Sequence, residues 1–437
     1  MSAQKLVFII GAGASRSISP DIPVMRDFFE KCLPYLKDAK NHPAIWLAFA
    51  ILEETRCFSA PNERLENAAA YIMTLHWHLQ KIEELKISHS QPEYQKTEKD
   101  WLDWIKFYHE MCQRDDSRTH ANLENVFTRA EKYLLDENQA DNFTRRHPYT
   151  RLVFAVSYLF SILQQEHHSP EPHAELARLL SEWLKADPER SATFISFNYD
   201  VWLERSLQVV GLWHPHRGYH YEFERFSNLP NARASNTQWD TVFDTGSGDV
   251  SQTYQFQAFS TNYSHRVIVL KPHGSLNWYW RENSGDCVVL LEGTENSLVT
   301  ANEGRYYLYD HLDRNKRPVS YTPFIVPPVQ LKRRQHPVFW QTDQRLFQVL
   351  SEADTVVSIG WSMPETDIDY RQKILHAMEH RSQQLRRLLI FNDDPEGRQM
   401  GFYLRFESVF RPAVKTEFYG KGFTPESIRQ GFEFLNQ

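Results

Sequence analysis

One recurring pattern constrains this chain more than any other: short apolar runs that end abruptly in small or polar residues. Lys5–Ile10 runs into Gly11-Ala12-Gly13-Ala14-Ser15. Residues 193–197 run into Asn198-Tyr199-Asp200, and Val267–Leu270 into Lys271-Pro272-His273-Gly274-Ser275. Thr355–Ile359 leads to Gly360-Trp361-Ser362, and 388–391 to Asn392-Asp393-Asp394. Apolar runs of this length without alternation predict strands buried on both faces, and glycine and proline stop them. Predicted helices at 201–210, 337–350 and 368–378, another after Pro395, and a last strand at Lys415–Tyr419 alternate with these runs. The expected fold class is α/β, a doubly wound parallel sheet covered on both faces by helices. In such a sheet all the polar strand ends face one crevice, where open α/β sheets bind ligands.

The rest of the chain reads as additions to that sheet, so a single domain over 1–437 is expected. A helix is predicted at 24–36. A large helical insertion after the first strand, at about 37–187, follows from apolar residues such as Leu65, Ala69, Ile72, Leu75 and Leu79 at spacings of three and four. Residues 212–265 and 281–325 read as irregular insertions, the second with short strands near Val288 and Tyr309.

Composition excludes several classes. A hydrophobic share of 41% and a charged share of 24% are ordinary for a globular protein. The net charge of −7 argues against direct nucleic-acid binding, which needs a basic footprint. The longest mostly apolar run, 152–163, is too short to cross a bilayer. The 4 cysteines are scattered without a C-x-x-C pair, which rules out a zinc ribbon and suits a reducing cytoplasm. No metal is expected. His214, His216 and His220 read more simply as a loop in a chain with 19 histidines.

Taken alone, His273 at a strand end could be a structural, hydrogen-bonded histidine. The glycine turn could be an ordinary strand-to-helix connection, since position 16 is arginine where the common dinucleotide fingerprint has a third glycine. Asp367 and Asp369 stand near a predicted helix start, where capping and the helix dipole favour acids.

A resemblance sharpens these readings. Ile9-Ile10-Gly11-Ala12-Gly13-Ala14-Ser15, followed by Ile22-Pro23 and Arg26, resembles the opening motif of sirtuins. Asn198-Tyr199-Asp200 resembles their Asn-x-Asp motif, His273-Gly274 their catalytic His-Gly, Gly360-x-Ser362 their Gly-x-Ser segment, and Asn392 their late asparagine. Asn122-Leu123-Glu124-Asn125, Ile325-Val326-Pro327-Pro328 and Gly360-Trp361-Ser362-Met363-Pro364-x-x-Asp367 are similar to the sirtuin-like NADase effectors of bacterial antiphage defence. The resemblance runs from about residue 5 to 400.

It implies a Rossmann-like fold and NAD as substrate. It also implies catalytic roles for His273 as base and Asn198 as the group positioning ribose and water. Gly11, Ala12, Gly13, Ser15, Arg26, Asp200, Gly360, Ser362 and Asn392 would contact the dinucleotide, with Asp200 on the carboxamide. Sirtuin deacetylases carry a four-cysteine zinc module that this chain cannot build, and their I-P-D-F-R segment has Val24-Met25 here. The resemblance therefore favours NAD glycohydrolysis, giving nicotinamide and ADP-ribose, over protein deacylation or non-catalytic sensing of NAD-like nucleotides. An NAD-depleting enzyme must be silent at rest, which implies a homo-oligomer or a regulatory protein partner in the cytoplasm.

Overall fold

The computed structural model describes residues 4–24, 160, 170–213, 218–220, 224–225, 266–281, 287–289, 308–310, 319–326, 337–364, 367–393, 399–410 and 415–436. Most of the expected helical insertion, Arg26, His214, His216 and the Asn122 segment lie outside these residues, as does most of 212–265 and of 281–325.

The apolar runs form one parallel sheet. Its strands are β1 (Lys5–Ile10), β2 (Ser191–Ser196), β4 (Val267–Leu270), β9 (Thr355–Ile359), β10 (Arg387–Phe391) and β11 (Lys415–Tyr419). Their order across the sheet is β11-β10-β9-β1-β2-β4, and every neighbouring pair is parallel. Sequence succession therefore runs outward from β1 in both directions and reverses between β1 and β9.

Alternation along β1 builds two cores, because successive side chains point to opposite faces. Leu6, Phe8 and Ile10 pack with α2 (Glu171–Lys185), α3 (Trp202–Val209) and α7 (Pro425–Leu435). Val7 and Ile9 pack with α4 (Pro337–Glu352), α5 (Ile368–Glu379) and α6 (Gln399–Phe410). Phe8 stacks on Phe194 of β2 with centroids 4.5 Å apart. Full burial of each such side chain contributes roughly 1.5–3 kcal/mol, which is why runs apolar on both faces can only be interior strands. No helix among the described residues is long and apolar enough to cross a membrane.

A short helix, α1 (Ala12–Arg16), begins directly at the glycine turn, and the helix expected at 24–36 lies outside the described residues but for its first residue. The regions read as irregular insertions also contribute to a second sheet. It consists of β3 (Glu224–Arg225), β5 (Gly274–Arg281), β6 (Cys287–Val289), β7 (Leu308–Asp310) and β8 (Val319–Ile325), in the order β3-β6-β5-β8-β7. β5 starts immediately after His273 and pairs antiparallel with β8, with a register irregularity between Gly274 and Tyr279. The histidine turn is thus the joint between the two sheets.

Candidate active site

The glycine turn is positioned by contact with the neighbouring strand end. Gly11 N–H donates to Ile359 O and Gly13 N–H to Gly360 O, each at 2.9 Å. A side chain on Gly11 would place its Cβ 2.6 Å from the Trp361 Cα, and one on Gly13 2.8 Å from the Gly360 Cα. These glycines therefore let two loops touch. Both N–H groups are used to dock the turn.

Asn198 follows β2 and locks the same turn from the other side. Its Nδ2 donates to Gly11 O at 3.0 Å and to Ser15 Oγ at 2.8 Å. Ser15 Oγ in turn donates to Asp200 Oδ2 at 2.6 Å. Because Ser15 spends its proton on a carboxylate, it can only accept from Asn198, so the amide orientation is compelled. The Asn198 Oδ1 remains as the acceptor without a partner among the described residues. Asn198→Asp would aim a carboxylate oxygen at Gly11 O and Ser15. We expect the variant to lose about 1–3 kcal/mol of stability, measured by urea unfolding at pH 7. An unchanged midpoint would show that the amide is oriented the other way.

Asp200 and Ser15 were expected to contact the ligand. In the structure Asp200 is buried, with Oδ2 on Ser15 and Oδ1 3.3 Å from the Trp202 N–H. Ser15 is committed to Asn198 and Asp200. In the structure these two side chains hold the turn.

Beneath Asp200 lies an ion pair that the sequence reading missed. Lys271 Nζ sits 3.1 Å from Glu204 Oε1, with side-chain exposures of 0% and 2%. The same ammonium donates to the Asp200 backbone O at 2.7 Å. Burial pushes the Glu204 carboxyl up, and the Lys271 charge opposes that shift. Tyr219 OH lies 3.3 Å from Glu204 Oε1 and 3.1 Å from Asn277 Oδ1. A buried pair costs several kcal/mol of desolvation per ion and is weak support for stability; here it ties the Asn198–Asp200 loop to the His273 turn. The only sequence signal was a charged residue at the end of an apolar strand.

His273 is buried where β4 meets β5. Its backbone O accepts from Val326 N–H at 2.7 Å, and Tyr199 OH donates to Val326 O at 2.7 Å. The imidazole packs against Phe197 and Tyr370, with centroids 5.2 and 5.5 Å away. Tyr370 OH donates to Pro272 O at 3.0 Å, and Trp361 stacks on the far side of the cluster, on Phe197. His273 Nε2 lies 3.3 Å from Asp367 Oδ1, an ion-pair distance without hydrogen-bond alignment. Asp367 does occupy the N-cap position of α5, yet its side chain makes no cap bond. Asp369 falls in the first turn of α5, as the dipole reading expected.

Gly360, Ser362 and Asn392 share this sheet edge. Gly360 bridges β10 and the glycine turn: its N–H donates to Phe391 O at 2.8 Å. The Ser362 side chain is exposed and Asn392 half-buried. Among the described residues no group of three or more His, Cys, Asp or Glu is placed to hold a metal ion.

A second histidine stands behind the site. His173, in the first turn of α2, is fully buried, and its Nδ1 has no partner among the described residues. Burial lowers its imidazole to about 4, with the Asp200 charge acting in the opposite direction. The folded protein keeps it neutral, whereas the unfolded chain binds a proton below its ordinary 6.5. Its contribution to stability is therefore intact above pH 6.5 and lost as pH falls toward 4. The loss amounts to about 3 kcal/mol. In acid unfolding series, His173→Gln should flatten the stability slope across that window; equal slopes would refute the assignment.

Neither a protein-family model nor a curated protein matches the chain.

Proposed function

We propose that this chain is an NAD glycohydrolase that cleaves NAD to nicotinamide and ADP-ribose. One observation carries the reading. A buried imidazole and an asparagine locked by two hydrogen bonds stand at the carboxyl edge of a parallel sheet, beside a glycine turn. That turn lies where the strand succession reverses, and β4-β2-β1-β9-β10-β11 is the order of Rossmann-type dinucleotide-binding sheets. The likeness to sirtuin-like NADases attaches the same residues to NAD.

The chemistry asks little of the protein. Nicotinamide leaves as a neutral base from a cationic ring, so no general acid is needed. The enzyme must hold the ribose, favour an oxocarbenium-like transition state and deliver water. Asn198 Oδ1, the acceptor left over, takes a hydrogen bond from a ribose hydroxyl or the water. His273 accepts the water's proton, a role a neutral imidazole fills near pH 7. Gly360, Ser362 and Asn392 offer contacts for the rest of the dinucleotide, while Asp200 and Ser15 fix Asn198.

Continuous NAD loss is lethal, so the proposal includes restraint by self-association or by a regulatory protein partner, consistent with an effector of bacterial antiphage defence working in the cytoplasm. The test is to measure NAD binding by calorimetry and nicotinamide release by chromatography, with and without an acetylated peptide. Binding with peptide-independent release supports the reading. Release only with peptide points to deacylation, and binding without cleavage even in cells expressing the whole system points to a sensor. Absence of both binding and release overturns the proposal.

A further inference from the structure

The segment between β9 and α5 returns a carboxylate to the histidine in a way that helix capping does not explain. Gly360 has φ +60° and Met363, a non-glycine residue, φ +54°. Left-handed backbone is unfavourable for a residue with a side chain and persists only where its surroundings demand it. Two such residues fall within four positions directly after β9. Asp367 follows at the N-cap of α5 and is 4% exposed. A carboxylate at a helix start ordinarily accepts from the helix's own N–H groups, and this one does not. A buried charge without a partner is costly, and its partners lie elsewhere. Oδ1 is 3.3 Å from His273 Nε2, and Oδ2 accepts from Trp361 Nε1 at 3.3 Å. Trp361 stacks on Phe197 at 5.3 Å, and Phe197 packs on the imidazole. The carboxylate and the aromatic wall are delivered by one loop.

We infer that Asp367 is a positioning residue for His273: it holds the ring with Nε2–H toward the carboxylate, so that Nδ1 is the nitrogen that takes the proton. This inference rests on the proposed NAD cleavage for its kinetic consequence, though not for the tautomer itself. A base oriented by a third group is the general design of activated nucleophile and acid–base sites. Contacts of this kind are long and poorly aligned without substrate and tighten in the reacting complex. In the reaction the water's O–H bond breaks and its proton passes to Nδ1. The water oxygen bonds to the ribose carbon as the bond to the nicotinamide nitrogen breaks. The electron pair of that bond leaves with nicotinamide and neutralises the pyridinium. The imidazolium, paired with Asp367, then gives its proton to solvent. Among the described residues the phenols of Tyr199 and Tyr370 also face the ring. Lys271, Glu204 and Asp200 form the next layer, linked to one another.

Nitrogen-15 NMR of histidine-labelled wild-type protein tests the tautomer without requiring activity. Neutral His273 is expected as the Nε2–H form, and Asp367→Asn, which can turn an amide N–H toward Nε2, should shift it toward Nδ1–H. A wild-type ring in the Nδ1–H form overturns the inference whether or not the variant folds. In nicotinamide-release assays, Asp367→Asn should lower kcat about 10- to 100-fold with KM changed less than about twofold, and Asp367→Glu should recover part of the loss. Wild-type kcat in Asp367→Asn also overturns it. A wild-type protein with the Nε2–H ring but neither NAD binding nor nicotinamide release supports the pairing and overturns only the enzymatic reading.

Discussion

His273→Ala is expected to remain folded and to release nicotinamide about 10²–10⁴-fold more slowly than the wild type. The fold survives because the turn is held by bonds the substitution leaves in place. His273 O still accepts from Val326 N–H, Gly274 N–H still donates to Lys271 O at 3.0 Å, and Lys271 still spans Asp200 and Glu204. What is lost is one ring from the cluster with Phe197 and Tyr370 and the contact to Asp367 Oδ1, while the same carboxylate keeps its bond from Trp361 Nε1. The reacting water then has no base, while Asn198 keeps its place. Release should fall in kcat, with NAD binding measured by calorimetry retained. Near-wild-type release by soluble His273→Ala would sink the catalytic assignment.

The largest structural effect is expected at Gly360. With φ +60°, an alanine there is already in an unfavourable region, and its Cβ would lie 2.2 Å from Ala14 N and 2.4 Å from Gly13 C. Both neighbours are backbone, so no side chain can swing aside; the glycine turn itself must move, taking Gly11 O away from Asn198. Gly211→Ala supplies the control, since Gly211 has φ +72° and nothing within 4 Å of the added Cβ. The control isolates the backbone strain, about 1 kcal/mol. Gly360→Ala should lose at least about 3 kcal/mol, because overpacking adds to that strain, and should lose NAD binding as well. Equal urea midpoints for the two variants would show that the contact between the turns is not what makes glycine necessary.

The framework was legible because the interior strands carry their own signal. The β1, β4, β9 and β11 ranges predicted from the sequence coincide with those in the structure, and β2 and β10 differ only at their ends. β5 was missed. Pro272 precedes it and Gly274 opens it, and Ser275, Leu276, Asn277 and Trp278 are all buried, so neither alternation nor an apolar run marks it. β8 contains Pro323, which argues against an interior strand, and it lies beside the irregular register with β5. The polar strand ends were legible as a set, since parallel strands must bring them to one edge. Their division of labour was not. Ser15 and Asp200 have the residue types of ligand contacts, and only burial shows them bound to each other. Asp367 has the type and position of a cap, and only the fold shows its carboxylate 3.3 Å from His273 Nε2. Lys271 and Glu204 meet across distant elements, a pairing that no local window contains.

By itself, then, the sequence determined what local chemistry can specify: which segments are dry on both faces, where they stop, and which polar groups stand at the stops. Hydrophobic burial and backbone restriction act residue by residue, so they can be read from a single chain. Tertiary structure alone decided which of those polar groups hold one another. That outcome depends on distances between strand ends, which bind Ser15 to Asn198 and Asp200 and set His273 Nε2 3.3 Å from Asp367 at the shared edge of the sheet.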